Sequence, residues 1–118
     1  MSVYDTNRKR NLYSNITTEE LIELRKGKCE ASGSKCIHKG SQAHHGLIRR
    51  DKRKAKWLDV LINKQLVCPV CHTETGYADS EENHIKFYQL QCDRYGEETV
   101  ENWITSLPYK IPPDVQRG

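Results

Sequence analysis

Two histidines stand side by side at His44 and His45 in the stretch "AHHGLI", and a third, His72, directly follows the turn Cys68-Pro-Val-Cys71. Imidazole changes charge near neutral pH and offers a lone pair, so it serves as a base or as a metal ligand. The two-residue spacing of Cys68 and Cys71 lets both thiolates of one turn reach a single Zn2+. Cys29 and Cys36 bound a Ser- and Gly-containing loop flexible enough to fold back onto that turn. Together the four thiolates read as a structural Zn2+ site that ties an early loop to a later strand. A small, polar chain needs such a tie in place of a large core. His38, two residues after Cys36, is the alternative ligand. A redox role for Cys68 and Cys71 lacks the βαβ setting of thioredoxin-like dithiols. Cys92 reads as a half-buried small hydrophobe on a helix.

A zinc turn would also hold His72 in place. Along a strand, successive side chains point to opposite faces, so His44 and His45 cannot share one task. If one of them points with His72 towards a common ion, its neighbour stays available to act on water. Taken singly, each histidine is a hydrogen-bonded or surface residue, and His84 on a later helix is read that way. Asn63 by itself is an ordinary turn residue, and Glu74 a solvated carboxylate.

The elements that must position these groups are short. Thr17 with Glu20 fits a capping box at the head of a helix through "TTEELIELRKGK", with Leu21, Ile22 and Leu24 on its buried side and Gly27 as its stop. "SQAHHGLI" and "NKQLVC" read as two strands, while "KWLDVLI" fits a helical turn or a strand equally. "DSEENHIKFYQLQC" predicts a helix capped by Asp79 or Ser80, with Ile85, Tyr88 and Cys92 recurring and Phe87 and Leu90 widening the apolar side. "GEETVENWITSL" predicts another, burying Val100, Trp103, Ile104 and Leu107 and ended by Pro108. The fold class is therefore α+β. Residues 1–16 form an N-terminal arm, 17–95 the main domain, and 96–118 a C-terminal helix and tail that packs on the core or makes a dimer contact through Trp103.

The chain has 118 residues, one domain's worth, with 36% hydrophobic and 30% charged residues. Its net charge of +3 is unevenly spread. Residues 1–56 carry 14 Lys and Arg against 6 Asp and Glu, whereas residues 57–118 carry 5 against 10. Cations grouped in "RRDKRKAK" directly after the paired histidines suit a phosphate backbone, because displaced counterions reward clustered charge. Alone, the run is a solvated loop; beside the histidines, it points to nucleic acid. The start "MSVYDTNRKR" has no apolar signal region and no apolar run approaches membrane-spanning length, so the expectation is a cytoplasmic protein without a membrane partner. In a reducing compartment, cysteines bind metal rather than pair.

The order "AHHGLI", Asn63 in "LINKQLVC", then "CPVCHTE" resembles the HNH family of nucleases, in its four-cysteine variety. The likeness covers roughly residues 29–80, and the run N-x-x-L-x-C-x-x-C-H is its specific part. It implies a ββα-metal core with a treble-clef-like zinc knuckle and flanking helices. It further implies that His44 and His72 bind a catalytic divalent ion, that His45 is the general base, and that Asn63 braces the loop so the histidines stay aimed. Arg49, Arg50, Lys52, Arg53, Lys54 and Lys56 would hold the backbone of DNA, mainly double-stranded. The members that share a His-His start carry another histidine four residues after the one matching His72, where this chain has Gly76. Two protein ligands leave an open site suited to Mg2+ or Mn2+, and the imidazole in place of a carboxylate extends tolerance to other divalent ions. The loop from His45 to Asn63 is long for this fold.

The resemblance thus implies a metal-dependent DNA endonuclease, nicking as a monomer or cutting both strands as a homodimer, with 5′-phosphate and 3′-hydroxyl products. The competing reading is a zinc-stabilised nucleic-acid-binding module without catalysis, which has no need of His45 beside a ligand-type His44. A thiol-redox or purely structural zinc protein would leave both the basic run and the histidines unexplained.

Overall fold

The computed structural model describes residues 12–31, 38–49 and 52–108, which form a compact α+β unit with two antiparallel strands and several helices. Helix α1 spans Thr18–Leu24, and both bonds of the expected box form: Thr17 accepts from the Glu20 N–H and Glu20 accepts from the Thr17 N–H. The helix ends where Lys26 and Gly27 take left-handed backbone angles. Strand β1, Gln42–His45, pairs with β2, Lys64–Val67, placing His44 opposite Gln65 and His45 opposite Lys64. The ambiguous "KWLDVLI" is helical: α2 covers Ala55–Leu58, and a 3-10 turn covers Leu61–Asn63. The basic stretch is not all loop either, since Lys52–Lys54 form a 3-10 turn leading into α2.

Segment 61–68 feeds three apolar clusters at once. Ile62 joins Leu47, Leu58, Phe87, Trp103 and their neighbours. Leu61 and Leu66 pack with Ile16 and Leu21. Val67 and Cys68 pack with Cys29, Ala31, Cys71 and Ala78. Of the expected N-terminal arm, residues 12–16 lie against this segment: the Leu12 and Ser14 carbonyls accept from Ile62 and Leu61 N–H, and Ile16 is buried.

Beyond β2, the Cys68–Cys71 turn leads into a π-helical turn at Val70–Glu74, a 3-10 turn at Tyr77–Asp79, and helix α3, Glu81–Tyr95. Gly76, at φ 71°, makes the sharp connection between the two turns. Ser80 rather than Asp79 caps α3, accepting from the Asn83 N–H. The buried side of α3 is Asn83, His84, Phe87 and Gln91, so the predicted face through Ile85, Tyr88 and Cys92 is displaced. Polar side chains can occupy a core when their hydrogen bonds are complete. Asn83 and Gln65 exchange two amide bonds, and Gln91 donates to the Ile62 carbonyl. Ile85, Tyr88 and Cys92 are left partly exposed. Helix α4, Glu97–Ser106, buries Val100, Trp103 and Ile104, with Leu107 just beyond its end, on the side its pattern predicts. No helix among the described residues is long and apolar enough to cross a membrane.

Asn63 is fully buried, and its amide makes four bonds. Its oxygen accepts from the Leu47 and Ile48 N–H groups at 3.0 and 2.8 Å, and its NH2 donates to the Ile48 and Leu58 carbonyls at 3.1 Å each. These bonds clamp the segment leaving β1 to the segment entering β2. Removing the amide leaves several buried backbone groups unpaired, so Asn63→Ala is expected to cost about 2–4 kcal/mol. Asn63→Asp should be no milder, since its second oxygen would face two carbonyls. Urea unfolding of the three proteins measures both effects.

Candidate metal and histidine site

Cys29, Cys68 and Cys71 are buried, and their sulfur atoms lie within 4.8 Å of one another. The Cys68 N–H approaches the Cys29 sulfur at 3.3 Å, and the Cys71 N–H approaches the Cys68 sulfur at 3.4 Å. Backbone donors aimed at sulfur favour the thiolate, the form that binds metal. The cluster could hold a metal ion such as Zn2+. Cys36, the expected fourth ligand, lies outside the described residues. His38 is exposed and is not part of the three-donor group.

Pairing between the strands turns His44 and His45 to opposite faces. His44 shares its face with Gln42, whose side-chain oxygen bonds His72 Nδ1 at 2.7 Å. The His44 and His72 rings meet edge-on with centroids 5.4 Å apart. Two imidazoles sharing one ion at about 2.1 Å from each nitrogen would place their centroids roughly 5 Å apart, so the pair is near that spacing. His44 is 7% exposed and makes a backbone hydrogen bond to Ala78, and its Nε2 is buried without a hydrogen-bond partner. An orphaned, buried imidazole nitrogen beside another imidazole is available to a metal. The Nε2 of His84, whose ring lies farther from His44 than that of His72 does, is orphaned in the same way. Burial pulls the His44 pKa from 6.5 down to about 4. Asp79 opposes that shift, and His72 and His84 reinforce it.

His45 points the other way and is bonded through Nε2 to the Asp59 carboxylate. With Nε2 engaged, Nδ1 is the nitrogen left to meet solvent. Close packing fixes the turn after it: a methyl group on Gly46 would collide with the Phe87 ring. The Gly46 carbonyl accepts from His84 Nδ1 at 2.7 Å, and the His84 ring lies 6.2 Å from that of His44.

These groups border one open cavity of about 530 Å³, lined by His44, His45, His72, Asp59, Asp79, Arg49, Lys64 and Ala43. Asn63 lies behind it as the brace already described. Of the other proposed DNA contacts, Arg53 and Lys56 are exposed and Lys54 is half-buried, with the Lys56 ammonium 4.5 Å from the centre of the Trp57 ring. Arg50 lies outside the described residues, and of Lys52 only the backbone is described. Asp59, Asp79 and Gln42 are the site residues that sequence reasoning missed as such, whereas His84 is the hydrogen-bonded histidine it was read to be. Asp59 lay in a segment of ambiguous period, and Asp79 read as a helix cap. Gln42, two residues before His44 on the same strand face, carried a signal in its spacing.

Comparison with protein-family models, with curated proteins and with solved structures finds no match for this chain.

Two outcomes follow. Metal analysis should find an ion held at the cysteines, and chelation or Cys68→Ser should lower the melting temperature by roughly 10 °C or more, given the large binding energy of such sites. The lowered pKa of His44 also has a sign. Between about pH 6.5 and 4 the unfolded chain takes up a proton at residue 44 that the folded, metal-free cavity refuses. Stability from this group is complete above pH 6.5 and falls as the pH drops through that window, by on the order of 3 kcal/mol across the whole of it. Urea unfolding of wild type and His44→Gln from pH 7 to 5 should show the gap between them changing with pH; their difference cancels any proton-driven loss of metal at the cysteines.

Proposed function

We propose that the chain is a metal-dependent DNA endonuclease of the HNH type, with a structural Zn2+ at Cys29, Cys68, Cys71 and Cys36. The observation that carries the reading is a single cavity. Its wall holds His44 with an orphaned nitrogen, His72 on the cysteine turn, and His45 on the opposite face of the same strand, with Arg49 at the side.

In this reading His44 and His72 hold one divalent ion, Mg2+ or Mn2+ among the ions tolerated. The ion's chemistry is to offset negative charge on the scissile phosphate and the departing 3′-oxygen. His45 is the general base, receiving a proton from the attacking water on Nδ1. Asp59 holds the other nitrogen, fixing the tautomer and orientation of the ring and favouring the cation that forms. Asn63 keeps both histidines aimed through the backbone just beyond them. Arg49, Arg53, Lys54 and Lys56, with Arg50 and Lys52, grip phosphates on either side of the cut. This grip weakens as salt rises. Attack in line breaks the P–O3′ bond and leaves 5′-phosphate and 3′-hydroxyl ends.

Supercoiled plasmid incubated with the protein and Mg2+ or Mn2+ should yield nicked or linear DNA, and chelator should stop it. His45→Ala should lower the rate by about 100-fold or more while the cysteine site and DNA binding persist. Asp59→Asn should lower it less. Retained DNA binding without cleavage in any metal would favour the non-catalytic binding module, and a fully active His45→Ala protein would remove His45 from the mechanism.

A further inference from the structure

Two imidazoles leave an ion with neutral ligands only, at the floor of a cavity that also holds carboxylates. The 3-10 turn Tyr77–Asp79 packs beside the π-helical turn that carries His72, and both Asp79 and His72 line the cavity. Because Ser80 supplies the α3 cap, the Asp79 carboxylate is released from the capping role its position suggests. Its Oδ1 stands 3.7 Å from the buried, unpartnered Nε2 of His44. That gap is too long for a hydrogen bond. Ligand atoms around one ion, each about 2.1 Å from it, sit roughly 3–3.5 Å apart when adjacent, so 3.7 Å is slightly wider than shared coordination.

The geometry points to Asp79 as a third protein ligand, which closes on the ion from the cavity rim and makes a two-histidine, one-carboxylate cation site with His44 and His72. The inference deepens the endonuclease reading and rests on it for the location of the ion. Among the described residues only the three cysteines bring three donor atoms within 4.8 Å of one another, so the cavity set is the looser. Its adjustable member is Asp79, whose side chain is 67% exposed and can turn inward, whereas His44 is held by burial and its bond to Ala78. A carboxylate here supplies the negative charge that the His-His start lacks, and leaves coordination positions open for water and phosphate. His84 is less suited: its ring is 6.2 Å from His44 and it does not line the cavity.

The test uses the full chain with its cysteines first filled with Zn2+, titrated with Co2+ or Mn2+ by calorimetry and, for Co2+, by visible absorption. Wild type should bind one further equivalent, with cobalt bands free of thiolate character. Asp79→Asn should weaken that binding by at least about 10-fold, Asp79→Glu should restore part of it, and Glu74→Gln on the neighbouring turn should change nothing. Equal affinity in wild type and Asp79→Asn, with both folded by circular dichroism, would overturn the inference, as would no further equivalent in wild type. Plasmid cleavage is scored separately. Asp79-dependent cobalt binding in a protein that cuts no DNA would sink the nuclease reading and keep the ligand, and cleavage with Asp79-independent binding would do the reverse.

Discussion

Asn63 is the constraint on which the rest of the structure depends. The sheet is two strands of four residues, a size that is marginal in water without support. The chain must also travel from His45 to Lys64 through a long segment before the second strand can pair, and closing that excursion costs entropy. A buried amide with all four bonds made to backbone on both sides of the excursion offsets much of that cost. It also defines where β1 ends, because Leu47 and Ile48 direct their N–H groups to Asn63 rather than to a strand partner. The direction of His44 and His45 follows from that ending.

Side-chain amides do similar work elsewhere in the interior. Gln65 and Asn83 join β2 to α3, and Gln91 reaches the Ile62 carbonyl from the same helix. A helix whose buried side is mostly polar is then held in one register, since a slip would break bonds as well as contacts. The histidines obey the same rule. His72 is bonded to the Gln42 oxygen and His84 to the Gly46 carbonyl, each through Nδ1, and His44 is bonded to the Ala78 backbone. With an oxygen at Nδ1 the proton belongs there, and Nε2 is left as a lone pair. The scaffold thus favours one tautomer of His72 and His84 before any ligand arrives, and Asp59 favours the opposite one at His45.

Much of this was legible in the residues, and the failures have physical causes. The α1 capping box, both strands and the buried side of α4 follow from local pattern, because each is decided by neighbours in sequence. The two-residue cysteine spacing and the adjacent His72 were legible for the same reason. The buried side of α3 was not. Periodicity counts apolar residues, while this helix buries Asn83, His84 and Gln91 against partners far away in the chain. Asp59 was invisible on similar grounds: its contact with His45 spans 14 residues, and its segment reads equally as helix or strand. Asp79 and Ser80 both suit a helix cap, and only the backbone path after Gly76 decides that Ser80 takes that role.

The charge around the cavity explains why such a site would need a cation. Asp59 and Asp79 face the same space as Arg49 and Lys64, so the wall is mixed rather than simply basic. The Lys64 ammonium is already committed to the Asn15 side chain and the Ile16 carbonyl. A phosphate brought up to this wall would meet two carboxylates at close range, and the repulsion is strongest where water is excluded. Asp59 is partly offset when His45 carries a proton. Asp79 stands beside the neutral edge of His44, a ring that burial keeps unprotonated at neutral pH. Under the proposed reading, a divalent ion between them would reverse the sign of that corner and turn the carboxylate from an obstacle to the phosphate into part of its binding site.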